Sequence, residues 1–200
     1  MEATKKRPVS NALGLAVLGL LIETPMHPHA MAATLRERGQ DRAFKVTTGS
    51  LYDVVRALER AGWIEARETI KVGARPERTV YQHTELGRAE FGRWVEELIR
   101  VPAAEYPKFL SAVGYLGALG PGGATAALRE RATRLRATLE EYRREHGELL
   151  ASGKVPRLFV IEVEYALRMQ EAELGWIEEI AADIETGRLT WPHTEEEEGR

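Results

Sequence analysis

The side chains best suited to bind a charged partner are concentrated in one stretch, residues 47–66, with the sequence TTGSLYDVVRALERAGWIEA. Its apolar residues recur at helical spacing and form one stripe: Leu51, Val54, Val55 and Leu58. The other side of this predicted helix carries hydroxyl, aromatic and charged groups: Thr48, Ser50, Tyr52, Asp53, Arg56 and Arg60. Short side chains and free backbone N–H groups at a helix start can approach phosphates and base edges closely. The pattern suits a DNA major groove, although an ordinary surface helix before a strand would also show it.

Local signals mark both ends of this helix. Thr47 or Ser50 can cap its start, and Ser50 with Asp53 has the spacing of a capping box. Gly62 ends it, because glycine adopts the left-handed C-terminal conformation at little cost. From residue 63 the apolar period changes towards that of a strand.

Two further helices precede it. Residues 1–9 are short, basic and without periodicity, which predicts a disordered arm. Residues 11–22 are apolar nearly all round and predict a buried helix, and residues 23–28 interrupt it with two prolines. A second helix is expected over residues 29–38, followed by a loop. Three helices of which the third has a free face are typical of a helix-turn-helix.

A basic hairpin follows the third helix. Two runs rich in β-branched and aromatic residues, 63–72 and 79–83, predict strands, and the turn between them carries Arg75 and Arg78. A hairpin in this position is a wing whose tip can lie on the phosphate backbone or in the minor groove. The alternative is a solvated hairpin tip whose arginines pair with Glu77.

From Leu18 to Phe91 the chain resembles the PadR family of bacterial transcriptional regulators. The segments that match are GLLIETPMHPHAM, TTGSLYDVVRALERAGWIEA and GARPERTVYQHTELGRAEF. The family usually has Gly-Tyr where this chain has Pro28-His29, and often Ser-Pro where it has Thr47-Thr48. The resemblance implies a mainly α protein: an N-terminal winged helix-turn-helix with a two-stranded wing, then a C-terminal antiparallel helical dimerisation domain of the longer, two-helix kind.

Nine residues of the helix-turn-helix and wing are the predicted contacts to double-stranded DNA: Lys45, Thr47, Thr48, Gly49, Ser50, Tyr52, Arg56, Arg75 and Arg78. Arg56 is the candidate for guanine or a nearby phosphate, and Tyr52 for a phosphate.

The rest of the chain predicts four more helices: 85–99 with Thr84 as N-cap, 108–119 stopped by the Gly-Pro-Gly-Gly of 120–123, 124–150, and 157–186. The expected domains are 10–100 for DNA binding and 101–187 for dimerisation, with an acidic tail over 188–200. The last two helices have wide apolar sides that a second copy would cover. The predicted homodimer contacts are Leu128, Leu135, Leu139, Tyr142, Leu158, Tyr165, Met169 and Ile180.

Four aromatic residues could line a pocket for a small effector, as the resemblance suggests for some members: Trp94, Phe109, Tyr115 and Trp176. Aromatic residues at helical spacing are equally consistent with plain core packing, because a mostly apolar pocket cannot be recognised in one dimension.

Composition excludes several other functions. The chain has 200 residues and no cysteine, so disulfides, thiol catalysis and cysteine-bound zinc are excluded, and a reducing cytoplasm fits. His27 and His29 lack the further ligands that zinc needs, and no nucleophile–base set or phosphate loop is visible, so we expect no metal, no cofactor and no enzyme. The longest apolar run is too short to span a membrane.

The charge distribution supports a nucleic-acid module joined to a partner-binding body. Residues 1–83 carry 13 Lys and Arg against 9 Asp and Glu, whereas residues 84–200 carry 15 against 22. We therefore predict a cytoplasmic, dimeric, DNA-binding repressor. The alternative is a winged-helix protein-interaction module that does not bind DNA.

Overall fold

The computed structural model describes residues 7–40, 47–70, 77–153 and 155–191. These residues divide into two compact units, Met1–Ala104 and Glu105–Arg200. The first unit contains α1 (Ala12–Glu23), α2 (Pro28–Glu37), α3 (Thr48–Arg60), β1 (Ile64–Ile70), β2 (Arg78–His83) and α4 (Glu85–Arg100). The second contains α5 (Lys108–Val113), a 3-10 turn (Leu116–Leu119), α6 (Gly120–Ala151), a second 3-10 turn (Arg157–Val160) and α7 (Ile161–Glu185). The predicted mainly α fold, with an N-terminal helix-turn-helix and wing followed by two long antiparallel helices, is confirmed.

The first unit is built around α1, which packs against α3, α4 and β2. Its side chains Val17, Leu18 and Leu21 are almost completely buried, as the apolar character of the segment predicts. The stripe of α3 closes over them, and Met31 and Leu35 of α2 complete the core. Among the described residues no polar or charged residue is buried, so this core is held by apolar packing alone.

The wing strands are antiparallel, with Ile64 opposite His83 and Ile70 opposite Arg78, and a bulge between Ala66 and Glu68. Both strands are offset from the predicted runs: β1 begins after Trp63, whose side chain is buried, and β2 begins one residue early. Met26 forms an isolated bridge to β2 by exchanging two 3.1 Å backbone hydrogen bonds with Tyr81. This bridge ties the start of α2 to the middle of β2.

The corner between β2 and α4 is locked against Trp63. Thr84 caps α4 as predicted, because its hydroxyl accepts from the Gly87 N–H at 3.0 Å while donating to the Gly62 carbonyl at 2.6 Å. The helix therefore starts so close to the preceding chain that a Cβ at Gly87 would lie 1.9 Å from the Trp63 carbonyl oxygen. Only glycine fits there without a backbone shift.

The prediction of a disordered arm was wrong for residues 7–9, whereas residues 1–6 lie outside the described part. Val9 is buried in the core of the first unit. The Arg7 guanidinium lies 5.1 Å from the centre of the Trp94 ring and pairs with Glu97 at 2.8 Å. An aromatic face and a carboxylate on α4 thus hold this segment in place.

In the second unit α6 and α7 pack side by side over a core of small and branched residues that includes Ala124, Leu128, Ala132, Ile177 and Ala181. The predicted helix over residues 108–119 does end at Leu119, where Gly120 has a positive φ, but it is divided into α5 and a 3-10 turn. The next helix was predicted to begin at residue 124, whereas residues 120–123 already form the first turn of α6. Pro121 suits that position because its missing N–H would have had no partner in a first turn. The last predicted helix likewise begins with a 3-10 turn, and α7 starts at Ile161.

Three ion pairs set the register of α6 against α7. Arg129 pairs with Glu185 at 2.7 Å, Arg136 with Glu178 at 2.5 Å and Arg143 with Glu171 at 2.7 Å. Each step is seven residues forward on α6 and seven backward on α7. This is the spacing of flanking charges in an antiparallel helix pair with a heptad repeat.

Two side-chain contacts hold the start of the segment after α7. The Trp191 indole N–H donates to the Gly117 carbonyl at 2.8 Å, and Arg188 pairs with Asp183 at 2.6 Å. The predicted frayed tail therefore does not begin at residue 188, and residues 192–200 lie outside the described part.

We expect Gly87→Ala to destabilise the first unit by about 1–3 kcal/mol, the usual cost of forcing extra atoms into a packed site. The matched control is Gly49→Ala, since Gly49 also lies in a first helical turn but an added Cβ there meets nothing within 4 Å. The control should melt within about 1 kcal/mol of wild type, because alanine favours helix over glycine. Thermal unfolding followed by circular dichroism measures both, and equal melting of the two variants would contradict the packing described at Trp63.

Candidate nucleic-acid interface

The start of α3 is fixed by a reciprocal capping box. The Ser50 N–H donates to the Thr47 hydroxyl oxygen at 3.1 Å, and the Thr47 N–H donates to the Ser50 hydroxyl oxygen at 3.1 Å. Thr47 is therefore the cap, and Ser50 takes the place in the box that the sequence had suggested for Asp53. Both hydroxyl groups are engaged in holding the first turn, so their contribution to a partner is chiefly to fix the helix end.

One side of α3 is free. Thr48 and Gly49 are exposed, Tyr52 is 44% exposed, and the Arg56 side chain is 62% exposed. The apolar stripe on the other side is at most 5% exposed throughout: Leu51, Val54, Val55 and Leu58. The open space around Gly49 leaves room for a partner to approach the helix backbone. This placement matches the face that the sequence predicts.

The Arg56 guanidinium on this face already has a partner. It pairs with Asp53, one turn earlier on the same helix, at 2.5 Å. Both side chains are exposed, so the pair contributes little to stability. Its consequence is electrostatic, because the Asp53 carboxylate offsets the positive charge of Arg56. It also directs the Arg56 side chain along the helix.

The wing contributes Arg78 at the first position of β2. Its side chain is half-buried, and its Nη1 atom lies 3.4 Å from Nε2 of His27. Lys45 and Arg75, the other two predicted basic contacts, lie outside the described residues.

His27 was not among the predicted DNA contacts. Its Nδ1 accepts from the Ala30 N–H at 3.0 Å and caps α2. The sequence signal is the Pro that follows, because proline favours the first position of a helix. Burial lowers the pKa of His27, and the nearby charges of Arg78 and His29 lower it further.

The four predicted effector-pocket residues are divided between the units. Trp94 is 2% exposed in the core of the first unit, where its ring meets Trp63 edge-on at 6.2 Å. In the second unit the Phe109 and Trp176 rings meet edge-on at 6.0 Å, whereas Tyr115 is 79% exposed.

A surface cavity of about 280 Å³ lies beside the Phe109–Trp176 pair. Its walls are Pro107, Phe109, Leu110, Val113, Glu173 and Trp176. The Arg131 guanidinium covers the Phe109 ring at 3.8 Å from its centre and pairs with Glu173 at 2.5 Å. Two aromatic rings and the Glu173 carboxylate thus line the cavity, and the Arg131 guanidinium lies against one of those rings.

The predicted dimer contacts fall into two sets. Leu128 and Leu139 are buried within their own chain, and Leu135, Tyr142 and Ile180 are partly covered. Leu158, Tyr165 and Met169 remain exposed, at 72%, 68% and 50%. They lie on a side of α7 and its preceding turn that the packing against α6 leaves open.

Within the described ranges no group of three or more His, Asp and Glu side chains is placed to hold a metal ion. No helix in those ranges is both long and apolar enough to cross a membrane.

Residues 17–93, which span α1 to most of α4, match the family model described as the transcriptional regulator PadR-like family. Over this segment the chain is PadR-like. The members of that family are transcriptional regulators and not enzymes.

Similarity to individual proteins extends beyond the matched segment. The probable transcriptional regulator Rv1176c of Mycobacterium tuberculosis is 25% identical over 195 residues, covering 80% of this chain and 98% of that protein. Bacillus subtilis PadR in complex with operator DNA is 21% identical with a TM-score of 0.72, over 87% of this chain and 99% of that one. The same protein in complex with p-coumaric acid is 20% identical with a TM-score of 0.70, over 88% and 99%. These structures share the fold of both units.

Replacing Arg56 or Asp53 should change DNA binding in opposite directions. We expect Arg56→Ala to cost about 1–3 kcal/mol of binding free energy if the guanidinium contacts a guanine, and to relax one operator position. Asp53→Asn should strengthen binding to every sequence, because it removes a negative charge from the face that meets the phosphates.

Fluorescence anisotropy with specific and scrambled duplexes measures both effects, and melting curves should stay within about 0.5 kcal/mol of wild type because both residues are exposed. Wild-type DNA affinity in both variants would show that this face of α3 does not meet DNA.

Proposed function

We propose that this chain is a cytoplasmic, sequence-specific, dimeric repressor whose operator binding is relieved by a small aromatic effector. Two copies would place their α3 helices in successive major grooves, about 34–36 Å apart as in other dimeric helix-turn-helix proteins. The wings would hold the flanking phosphate backbone.

The observation that carries the DNA-binding part is the division of α3 into a buried apolar side and an exposed side with Thr48, Gly49, Tyr52 and Arg56. A helix presented in this way can enter a groove without any loss of core packing. In addition, the related Bacillus subtilis PadR has been captured with operator DNA.

The alternative is a winged-helix protein-interaction module. Such a module has no need for cations at both the recognition helix and the wing, where this chain carries Lys45, Arg56 and Arg75. We therefore favour DNA as the partner.

The dimer proposal rests on the two sides of α7. The side with Ile177 and Ala181 is buried against α6, whereas Leu158, Tyr165 and Met169 remain exposed. Burial of such side chains by a second copy would remove a large apolar area from water.

The effector proposal rests on the cavity beside Phe109 and Trp176. The Bacillus subtilis relative has been captured with p-coumaric acid, an aromatic carboxylic acid. In this chain an acid of that kind could pack beside the two rings and compete with Glu173 for the Arg131 guanidinium. It would relieve repression only if it binds the DNA-free form of the dimer more tightly than the DNA-bound form.

Selection of bound duplexes from a random pool, with and without p-coumaric acid, tests the function directly. We expect one enriched sequence made of two related half-sites, and weaker binding to it when the acid is present. Arg131→Gln is the matched variant: it should retain DNA binding and lose the response to the acid. No enrichment over the starting pool would favour the protein-interaction module, and an unaltered affinity with the acid would remove that effector.

We expect the double substitution Tyr165→Glu and Met169→Glu to convert a dimer into a folded monomer, because it places charges on the exposed side of α7. Sedimentation at micromolar concentration measures the mass, and circular dichroism checks the helix content. Glu105→Lys is the charge-changing control, at an exposed position outside α6 and α7. A wild-type chain that sediments as a monomer would contradict the proposed dimer.

A further inference from the structure

The cap of α2 determines which nitrogen of His27 carries a proton. Nδ1 lies 3.0 Å from the Ala30 nitrogen, whose N–H it accepts, so Nδ1 carries no proton. A neutral imidazole holds its single proton on the other nitrogen, and Nε2 is then a donor. Burial first, and then the charges of Arg78 and His29, lower the pKa of the ring and favour its neutral form.

Nε2 of His27 faces a second donor. It lies 3.4 Å from Nη1 of Arg78, and a guanidinium has no acceptor atom. The two nitrogens therefore cannot satisfy each other in this tautomer. They are instead two donor nitrogens 3.4 Å apart, contributed by residues 51 positions apart in sequence.

The fold holds this donor pair in a defined place. His27 precedes α2, Arg78 opens β2 at the end next to the wing loop, and the Met26–Tyr81 bridge joins the two segments by a pair of backbone hydrogen bonds. Both side chains are half-buried, so their positions are restricted while the contact is still reachable from outside. A preorganised pair of this kind requires little ordering when an acceptor arrives.

We propose that His27 and Arg78 together hold one backbone phosphate of the DNA, with both donors directed at its non-bridging oxygens. A phosphate oxygen has the lone pairs that both nitrogens lack, and a charged donor strengthens the bond. The inference rests on the proposed DNA-binding function and adds to it a contact outside α3. It assigns the base of the wing and the start of α2 to positioning on the backbone, and not to the choice of sequence.

His27→Asn tests the histidine without removing the cap, since asparagine is among the best N-cap residues. We expect roughly a three- to tenfold loss of DNA affinity, the effect of one net hydrogen bond, for selected and scrambled duplexes alike. Arg78→Gln should lower affinity more and reduce the slope of log affinity against log salt by about one. His29→Asn is the matched control, because His29 is exposed and has the same side chain two residues further on; it should bind as wild type.

The decisive probe is a selected duplex in which single phosphates are replaced by methylphosphonates. One position in each half-site should weaken the wild-type protein and leave the His27→Asn, Arg78→Gln double variant unaffected. The double variant should also lose less affinity than the product of the two single losses, because both donors serve one group. Equal sensitivity of wild type and double variant at every position would overturn the proposal.

Two further measurements separate the sources of failure. Nitrogen-15 NMR of the histidine rings should show His27 protonated on Nε2; a proton on Nδ1 would overturn the proposal, since Arg78 would then donate to an ordinary acceptor. If inorganic phosphate saturates the site at His27 and Arg78 and the affinity for DNA does not change, the assignment of this site to DNA is overturned. If the wild-type chain binds no duplex at all, the proposed function is refuted. If the wild-type chain binds DNA and both variants bind it equally well, only this site is refuted.

Discussion

The burial of one side of α3 against α1 is the constraint on which the first unit depends. Leu51, Val55 and Leu58 are at most 1% exposed and pack on a helix that is itself apolar nearly all round. Rotating α3 about its axis would expose this stripe, at a cost of about 1.5–3 kcal/mol for each large side chain. The side with Tyr52 and Arg56 is outside for that reason, and not because anything holds it there.

The second unit is specified differently. Its core residues are small or branched apolar side chains. The ion pairs at seven-residue intervals oppose a slip of α6 along α7, because a slip would move each of these arginines away from its glutamate. The hydrogen bond from Arg129 lowers the pKa of Glu185, and that from Arg143 lowers the pKa of Glu171, which is the response of carboxyl groups that are stabilised in their charged form. Since these side chains keep 31–53% of their surface exposed, we assign the pairs to register and not to stability.

Charged groups at the edges of the first unit have the same positioning character. Arg7 fastens the N-terminal segment to Trp94 and Glu97, and Arg38 binds Glu23 through two hydrogen bonds of 2.7 and 2.6 Å. These contacts connect segments that the apolar core alone would leave loosely placed. The Asp53–Arg56 pair is different, because both members lie on one helix and fix only a side-chain direction.

The sequence by itself determined the elements and the exposed side of α3. Several signals are set by residues that are neighbours in sequence: the helical periodicity, Thr84 as a cap, the turn at Gly62 and the strand-like runs of the wing. They can therefore be recognised without knowledge of the tertiary structure. The PadR-like pattern is local in the same sense, since the residues that carry it lie within one unit. Where the local signal was shared by two candidates, as for Thr47 and Ser50, the choice needed the geometry.

Only the tertiary structure decided which residues meet across long sequence separations. It showed that α7 has two apolar sides, one packed on α6 and one left exposed. The sequence could not separate them, because both sets of residues recur at similar intervals along one helix. It brought His27 to Arg78, and it required glycine at position 87, where the limit is a carbonyl oxygen of Trp63. These features depend on distances between atoms of residues that are far apart in sequence. A pattern read along the sequence contains no such distances.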